Sequence, residues 1–232
     1  MLKSFDNQDL ESFLGSVPVF QDLPPEAIEE ATNRLNLRQH PPDKLLLIEE
    51  DWGNSVYLVV QGWVKIRTYN YDGKEITLNI LGSGDIFGEM ALLLSSPRST
   101  DVLSLTAVVI GSLPSDDFMT LAKSSHVVGL NLAKMMAKRL QQVNRRLRMR
   151  QADSVTRLAD VLLFLAEGRG KSSAVGVAIP MLTHQELGSL CGLSRETVTR
   201  SMSKLEKKGI IERPDRDSIY VPNLLALEKL LS

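Results

Sequence analysis

The chain has 232 residues, of which 43% are hydrophobic and only 5% aromatic, so its core is expected to be mainly aliphatic. No apolar run approaches the roughly 20 residues that a membrane-spanning helix needs, and the N-terminus lacks a secretory signal, so we expect a cytoplasmic protein without a membrane partner. The single Cys191 excludes an internal disulfide and a cysteine-ligated cluster within one subunit.

Charge is distributed unevenly along the chain, although the formal net charge is only −1. Residues 1–133 hold 9 Lys/Arg and 18 Asp/Glu, a net −9, whereas residues 134–232 hold 18 Lys/Arg and 10 Asp/Glu, a net +8. An acidic half joined to a basic half indicates that only the second half meets nucleic acid. The alternative is that these charges merely solvate the surface.

The first half predicts two short helices followed by many short strands. Residues 8–36 have a helical pattern in two pieces, and the second piece starts at Pro24 and Pro25, which suit a first helical turn. From residue 44 to residue 113, short β-branched segments alternate with glycine-containing turns, which predicts an antiparallel barrel or sandwich. The predicted strands are 45–48, 56–60, 64–68, 76–80, 102–105 and 108–113.

Residues 115–150 return to a helical pattern that contains a heptad seam. The seam residues, alternately 3 and 4 positions apart, are Ala133, Met136, Leu140, Val143 and Leu147. This spacing predicts a partner helix and hence a homodimer, while Leu132 and Met135 are expected to face the barrel. The alternative is that the seam is buried against the chain's own barrel.

The remaining residues predict a small helical domain with a β-hairpin. Asp153 is expected to begin a helix that runs through Leu165, residues 168–173 a loop and residues 175–179 a strand. Residues 208–212 and 219–221, separated by a turn at 213–217, predict a hairpin "wing". A final helix is expected over residues 224–231.

A helix, a tight turn and a second helix are predicted over residues 183–200. Ser194 opens the second helix, in which Val198, Met202 and Leu205 form an apolar side. The opposite side is polar and carries Arg195, Glu196, Thr199 and Arg200. A short helix with such a face suits a DNA major groove. The alternative is a set of solvated charges with a Glu196–Arg200 pair.

A phosphate-binding pattern lies in the β-rich half. A short turn of helix is expected over Gly88, Glu89, Met90, Ala91 and Leu92, and free backbone N–H groups there suit a phosphate. Glu89 suits a ribose hydroxyl, Arg98 offers a forked donor to phosphate oxygens, and Ser99 adds a hydroxyl. The alternative is an internal Glu89–Arg98 ion pair in an empty pocket.

Other chemistry is not favoured by the sequence. His40, His126 and His184 are far apart and show no metal-ligand spacing, so no metal site is expected. Cys191 lies on an apolar helix face and is expected to be a small core residue. No nucleophile, base and pocket come together in the pattern, so we expect no enzyme.

The two motif regions resemble the family of bacterial regulators that contains the cAMP receptor protein and the fumarate-nitrate reduction regulator, and they are most similar to the cAMP receptor branch. The resemblance covers nearly the whole chain and implies an α+β fold. It implies a jelly-roll-like, cyclic-nucleotide-binding β-roll with flanking helices over 1–123, a dimerisation helix and hinge over 124–152, and a winged helix-turn-helix domain over 153–232.

The resemblance also implies roles for individual residues. Residues 88–92 with Arg98, Ser99 and Thr100 resemble the family's phosphate-binding cassette, which implies Glu89 on the ribose 2′-OH and Arg98 with Ser99 on the cyclic phosphate. The family's threonine–serine pair against adenine is replaced by Gln142, Val143 and Asn144. Val143 and Asn144 are therefore expected to contact the effector.

For DNA, the resemblance implies Arg195, Glu196 and Arg200 as base readers. Thr183 and Gln185 are expected to contact phosphate from the first helix. The remaining expected DNA-binding residues are Ser194, Thr197 and Thr199.

The expected function is a homodimeric transcription regulator controlled by a cyclic nucleotide, with cAMP favoured, that recognises palindromic TGTGA-like half-sites in double-stranded DNA. RNA polymerase is a further partner that such a regulator implies. One alternative is a member of the same family that acts without ligand or with another effector. The other is a cyclic-nucleotide-binding regulatory subunit that acts through protein contacts and lacks a recognition helix.

Overall fold

The computed structural model describes residues 5–167, 171–173, 176–214 and 218–231, with only the backbone described for 171–173. Contacts between residues divide the chain into two units. The first comprises Met1–Thr68 with Asn79–Gln141, and the second comprises Tyr69–Leu78 with Gln142–Ser232. The domain boundaries expected after residues 123 and 152 stay predictions. Over the described ranges, no helix is both long and apolar enough to cross a membrane.

Two four-stranded sheets carry the β-rich half of the chain. Their strands are β1 (Asn36–His40), β2 (Leu45–Leu47), β3 (Ser55–Gln61), β4 (Val64–Tyr69), β5 (Glu75–Leu81), β6 (Ile86–Phe87), β7 (Asp101–Ser104) and β8 (Val108–Pro114). The strand order is β1-β8-β3-β6 in one sheet and β2-β7-β4-β5 in the other. The strand pairs β1–β8, β2–β7, β3–β6, β3–β8 and β4–β7 are antiparallel, which confirms the expected β-roll.

Two of these strands were not expected from the sequence. Strand β1 has the polar sequence Asn-Leu-Arg-Gln-His and lies at a sheet edge, where all five residues pair with β8. The prediction that helix continued to residue 36 and that strands began at residue 44 was therefore wrong. Strand β6 is only two residues long and forms by pairing with Tyr57 and Leu58 of β3. Pairing partners distant in sequence decide both strands.

The helices flanking the roll begin where local chemistry favours a helix start. They are α1 (Asn7–Ser16), α2 (Pro25–Arg34), α3 (Glu89–Leu94), α4 (Ser115–Ser124) and α5 (His126–Met149). In α1 the Asp6 carboxylate accepts a hydrogen bond from the Asp9 N–H at 2.7 Å, and α2 begins at Pro25 as predicted. The core they cover is mainly aliphatic, with Phe118 the exception among its fully buried side chains. Each such side chain contributes about 1.5–3 kcal/mol on burial.

Helix α5 carries two apolar lines. Leu132 and Met135 pack against the core of the first unit, as predicted. Met136, expected in the seam, also packs partly against this core. The other seam residues are exposed in the single chain, with Leu140 62% and Val143 and Leu147 each 51% exposed, and Ala133 is exposed as well. The dimer seam stays a prediction.

Within its described residues, the second unit includes four complete helices and a three-stranded sheet, besides the end of α5 and parts of β4 and β5. The helices are α6 (Ser154–Ala166), α7 (His184–Cys191), α8 (Arg195–Lys207) and α9 (Leu224–Glu228). The strands are β9 (Lys171–Ser173), β10 (Gly176–Pro180) and β11 (Ser218–Val221), in the order β11-β10-β9. As predicted, Asp153 caps α6, because its carboxylate accepts from the N–H groups of Val155 and Thr156.

The predicted hairpin wing needs correction. Strand β11 pairs with β10, and residues 208–212 contribute only an isolated bridge between Glu212 and Tyr220. Ile210 and Ile211 are buried instead, so the apolar pair packs inward rather than extending a ladder. Residues 215–217 of the expected turn lie outside the described residues.

Three further expectations about this unit also change. Residues 171–173, expected in a loop, form β9 by pairing with residues 176–178, while residues 168–170 lie outside the described residues. The strand expected over 175–179 is β10, and residue 175 also lies outside the described part. The last helix ends at Glu228 rather than at residue 231.

Candidate functional site

The first candidate site is centred on the buried guanidinium of Arg98, which is 4% exposed. Its Nη1 donates to the Gly88 carbonyl at 2.5 Å, and its Nη2 donates to the Ser55 carbonyl at 2.8 Å. The backbone of Arg98 is also fixed, because its N–H donates to the Asp51 carbonyl and its carbonyl accepts from the Glu50 N–H, both at 2.8 Å. The guanidinium is therefore held in one place before any ligand arrives.

Two glycines make the space that the guanidinium fills. A β-carbon on Gly53 would lie 2.2 Å from Nη2 of Arg98, and one on Gly88 would lie 2.7 Å from Nη1. Gly88 also has a φ of 83°, which favours glycine. Tyr57 lies on a further side, with its ring centroid 5.7 Å from the guanidinium carbon. Gly88 was expected here, whereas Gly53 and Tyr57 were not.

The Arg98 guanidinium has an unused donor at Nε. Its Nε is buried and has no hydrogen-bond partner among the described residues. Leaving a buried, charged N–H group without an acceptor is costly, so the site suits an anion that supplies one. Ser99, next along the chain, is exposed and Thr100 is half-buried. The phosphate contacts expected of Arg98, Ser99 and Thr100 stay predictions.

Glu89 begins α3 and is 1% exposed. Its carboxylate accepts from Arg139 Nη1 at 2.5 Å, and Arg139 Nη2 donates to the Ile86 carbonyl, also at 2.5 Å. The alternative of a Glu89–Arg98 ion pair is therefore wrong, because the partner of Glu89 is Arg139. A carboxylate with one such bond retains acceptor capacity for a hydroxyl group. Arg139 was missed because it lies 50 residues away on α5, where no local pattern marks it.

The other expected ligand residues are placed differently from one another. Ala91 is buried, Leu92 packs against the core, and Met90 is largely exposed. Val143 and Asn144 are exposed and belong to the second unit. The structure thus brings together the residues expected around phosphate and ribose, whereas the expected contacts of Val143 and Asn144 with the effector stay predictions.

The second candidate site is the helix-turn-helix of α7 and α8. Helix α7 starts with a capping box, in which the Thr183 hydroxyl accepts from the Glu186 N–H at 3.1 Å and the Glu186 carboxylate accepts from the Thr183 N–H at 2.8 Å. Helix α8 starts at the Ser194 cap, whose hydroxyl accepts from the Thr197 N–H at 3.3 Å. Both helix starts were expected from the sequence.

The turn between the two helices is fixed by close backbone packing. Gly192 ends α7 with a φ of 66°, and a β-carbon on Gly188 would lie 2.6 Å from the Leu193 carbonyl oxygen. Arg157 of α6 donates from Nε to the Cys191 carbonyl at 2.9 Å and from Nη2 to the Gly192 carbonyl at 2.6 Å. Arg157 therefore satisfies free carbonyls at the end of α7, a role that no local pattern indicates.

The polar face of α8 is exposed, as predicted. It is formed by Arg195, Glu196, Thr199 and Arg200. The opposite side, Val198, Met202 and Leu205, is buried. Hydrogen bonds from its own backbone N–H and from the Ser194 hydroxyl hold the pKa of Glu196 below its usual value, so this residue is an acceptor at neutral pH. The alternative Glu196–Arg200 pair is not formed, because Arg200 donates to the Thr197 hydroxyl instead.

Two further expectations concern Cys191 and metal binding. Cys191 is buried, as expected for a core residue, and burial raises the pKa of its thiol to about 12. In the part of the chain that the structure describes, no group of three or more His, Cys, Asp or Glu side chains is placed to hold a metal ion.

Comparison with known proteins finds family matches for the two regions that contain the candidate sites. Residues 37–125 match the model of the cyclic nucleotide-binding domain, and residues 156–230 match that of the Crp-like helix-turn-helix domain. The cyclic AMP receptor protein of Thermus thermophilus is 32% identical over 84% of this chain and 88% of its own length. The cAMP-activated global transcriptional regulator CRP of Haemophilus influenzae is 30% identical over 79% and 87%.

A solved structure agrees with these relatives. The catabolite activator protein of Thermus thermophilus has a TM-score of 0.52 and 30% identity, and the match covers 92% of this chain and 98% of that one. Together with the β-roll and the exposed polar face of α8, these matches show that the protein is a cyclic-nucleotide-binding transcription regulator with a DNA-binding helix-turn-helix. The chain belongs to the family of bacterial transcription regulators that contains the cAMP receptor protein and the fumarate-nitrate reduction regulator.

Proposed function

We propose that this protein binds cAMP in the β-roll of the first unit and binds palindromic TGTGA-like sites as a homodimer. The observation that carries the ligand assignment is the buried Arg98, whose Nε lacks an acceptor among the described residues and whose guanidinium fits into the room left by Gly53 and Gly88. Both relatives above are named for cAMP, which favours this nucleotide over others.

In this proposal each polar group of the first site has one task. Arg98 donates from Nε to an oxygen of the cyclic phosphate, and the exposed Ser99 hydroxyl adds a second donor. Glu89 accepts the ribose 2′-OH on the acceptor sites that Arg139 leaves free. Arg139 acts as a positioning residue, because it fixes the carboxylate without needing to touch the nucleotide.

DNA recognition is assigned to the exposed face of α8. Arg195 and Arg200 suit guanine, which presents two acceptors in the major groove, and the ionised Glu196 suits the amino group of cytosine. Thr183 and Gln185, at the start of α7, are assigned to the phosphate backbone, together with Ser194, Thr197 and Thr199 around the start of α8. The exposed seam on α5 would pair two chains, and a two-fold dimer matches a palindromic site.

A second candidate is a regulator of the same family that responds to another effector or to none. The observation in its favour is the stretch Gln142, Val143 and Asn144, which departs from the family's threonine–serine pair. A regulatory subunit acting only through protein contacts is disfavoured, because α8 has an exposed polar face and residues 156–230 match the Crp-like helix-turn-helix domain. RNA polymerase remains a proposed partner.

Isothermal titration of nucleotide-stripped protein with cAMP and with cGMP tests the ligand assignment. Tight cAMP binding together with weak cGMP binding is expected. Absence of binding heat with both nucleotides would contradict the proposal and favour the second candidate. Arg98→Lys is the matched variant, because it keeps the charge but loses the fork and is expected to bind cAMP more weakly. Arg38→Lys, at an exposed arginine of β1, is its control and should bind as wild type.

A further inference from the structure

His184 lies on the face of the helix-turn-helix that is expected to meet DNA. It is the first residue of α7, and its Nδ1 is 2.7 Å from the Thr199 Oγ1 of α8. Thr199 is exposed on the same side of α8 as Arg195, Glu196 and Arg200. The imidazole is therefore held against the polar face of the recognition helix by a specific hydrogen bond.

The hydrogen bonds of Thr199 decide which ring nitrogen of His184 carries a hydrogen. The hydroxyl has one hydrogen, and it is donated to the Arg195 carbonyl at 2.9 Å. For the bonds to the Arg195 carbonyl and to His184 to form at once, Thr199 Oγ1 accepts from His184 and Nδ1 is the donor. In the neutral ring Nε2 then has a lone pair and no hydrogen, whereas in the imidazolium Nε2 also carries a hydrogen.

The surroundings of His184 favour its neutral form in the protein alone, and burial is the main cause. Burial lowers the pKa of His184, as do the charges of Arg213 and Arg195, while Glu206 acts in the opposite direction. Glu206 is itself bound by Arg213, through Nε at 2.5 Å and Nη2 at 2.6 Å, which weakens its effect on the ring. For Nε2, the described part of the chain provides no hydrogen-bond partner.

We propose that His184 contacts a DNA phosphate through Nε2–H in its protonated form, so that DNA binding takes up a proton. A lone pair on Nε2 repels a phosphate oxygen, whereas an imidazolium N–H donates to it and adds a favourable charge. The inference rests on the proposed function, because it requires this face of α7 and α8 to meet DNA.

The direction in which pH changes DNA affinity follows from the protonation states of the His184 ring. A phosphate oxygen raises the pKa of His184 in the complex above its lowered value in the free protein. At a pH below both pKa values the ring is charged in both states, and affinity is highest. Between the two values affinity falls by up to about tenfold per pH unit, and above both it is low and constant.

The test is fluorescence anisotropy of the full chain with a palindromic TGTGA duplex and with a scrambled duplex of equal length, at constant ionic strength and with cAMP throughout. From pH about 5.5 to about 7.5, where histidine titrates, the wild-type Kd is expected to rise about tenfold. His184→Gln keeps a neutral donor but does not titrate, so its Kd should not change with pH. A flat wild-type profile, or an undiminished slope in His184→Gln, would overturn the inference.

Controls separate this inference from the proposed function. The chain has 3 histidines, so His40→Gln and His126→Gln are the matched variants and should keep the wild-type slope. A phosphate contact is independent of sequence, so the slope should appear on the scrambled duplex as well. A pH dependence of the Kd without preference for the palindromic duplex would contradict only the proposed target sequence. A preference for the palindromic duplex without a pH dependence of the Kd would contradict only the phosphate contact of His184. NMR titration of the His184 ring must also give a higher pKa with DNA than without it.

Discussion

The Gly53→Ala substitution tests the geometry of the Arg98 site without removing any charge. The new β-carbon would lie 2.2 Å from Nη2 of Arg98, whereas ordinary contact begins at 3.4 Å, so one of the two must move by about 1.2 Å. Nη2 donates to the Ser55 carbonyl at 2.8 Å, and a displacement of that size breaks this bond. The backbone of Gly53 does not require glycine, because no positive φ is found there.

The expected cost follows from the bond that is lost. A hydrogen bond to a charged group contributes about 1.5–3 kcal/mol, so the free energy of unfolding should fall by about that amount. If the displaced guanidinium also misses the phosphate by a similar margin, the Kd for cAMP should rise by about 10- to 150-fold.

The measurements are isothermal titration with cAMP and urea unfolding of the free protein. Gly15→Ala is the control, because Gly15 lies in α1, where a β-carbon would meet no atom of the described residues within 4 Å. It should leave cAMP binding unchanged and stabilise the fold by about 0.5–1 kcal/mol, since alanine favours a helix over glycine. Wild-type cAMP affinity and stability in Gly53→Ala would refute the argument that the guanidinium must occupy this position.

Four other substitutions give measurable outcomes. Arg195→Ala should weaken binding to the palindromic duplex by about 1–3 kcal/mol and leave binding to a scrambled duplex almost unchanged, and equal losses on both would reduce Arg195 to a phosphate contact. Glu89→Gln should weaken the binding of cAMP, measured by titration calorimetry. Its affinity for a 2′-deoxy analogue of cAMP should equal that of the wild type, because the only group of the nucleotide that the Glu89 carboxylate serves is the ribose 2′-hydroxyl. Leu140→Lys should convert a dimer to a monomer in sedimentation equilibrium, and an unchanged mass would disprove the seam. Asp153→Ala should lower the free energy of unfolding at neutral pH by about 1 kcal/mol. The Thr156 hydrogen bond lowers the pKa of Asp153, so the difference from the wild type should vanish as pH falls through that lowered pKa. A difference that persists in acid would contradict the cap.

Local sequence patterns predicted the features that depend on neighbouring residues. The Pro25 helix start, the Ser194 cap and the exposed side of α8 follow from spacing within one or two helical turns, and all three are confirmed. Strand β1 was missed because its polar sequence forms a strand only by pairing with β8, more than 60 residues further along the chain. The wing strand expected at residues 208–212 was wrong because Ile210 and Ile211 pack inward.

Within the first site, the residues missed are those that act from a distance in sequence. Arg98 and Glu89 belong to a compact motif, whereas Arg139 reaches Glu89 from α5. Gly53 matters only because the Arg98 guanidinium occupies the place of its absent side chain. A contact of this kind depends on the assembled tertiary structure, and no periodicity in the chain indicates it.

The affinity of nucleotide-stripped protein for a palindromic TGTGA duplex, measured by fluorescence anisotropy with and without cAMP, tests the central claim most directly. A regulator controlled by cAMP must bind this duplex more tightly with the nucleotide than without it, while the scrambled duplex shows no such gain. Equal affinity for the palindrome with and without cAMP would contradict control by this ligand. Equal affinity for both duplexes in the presence of cAMP would contradict the proposed target sequence.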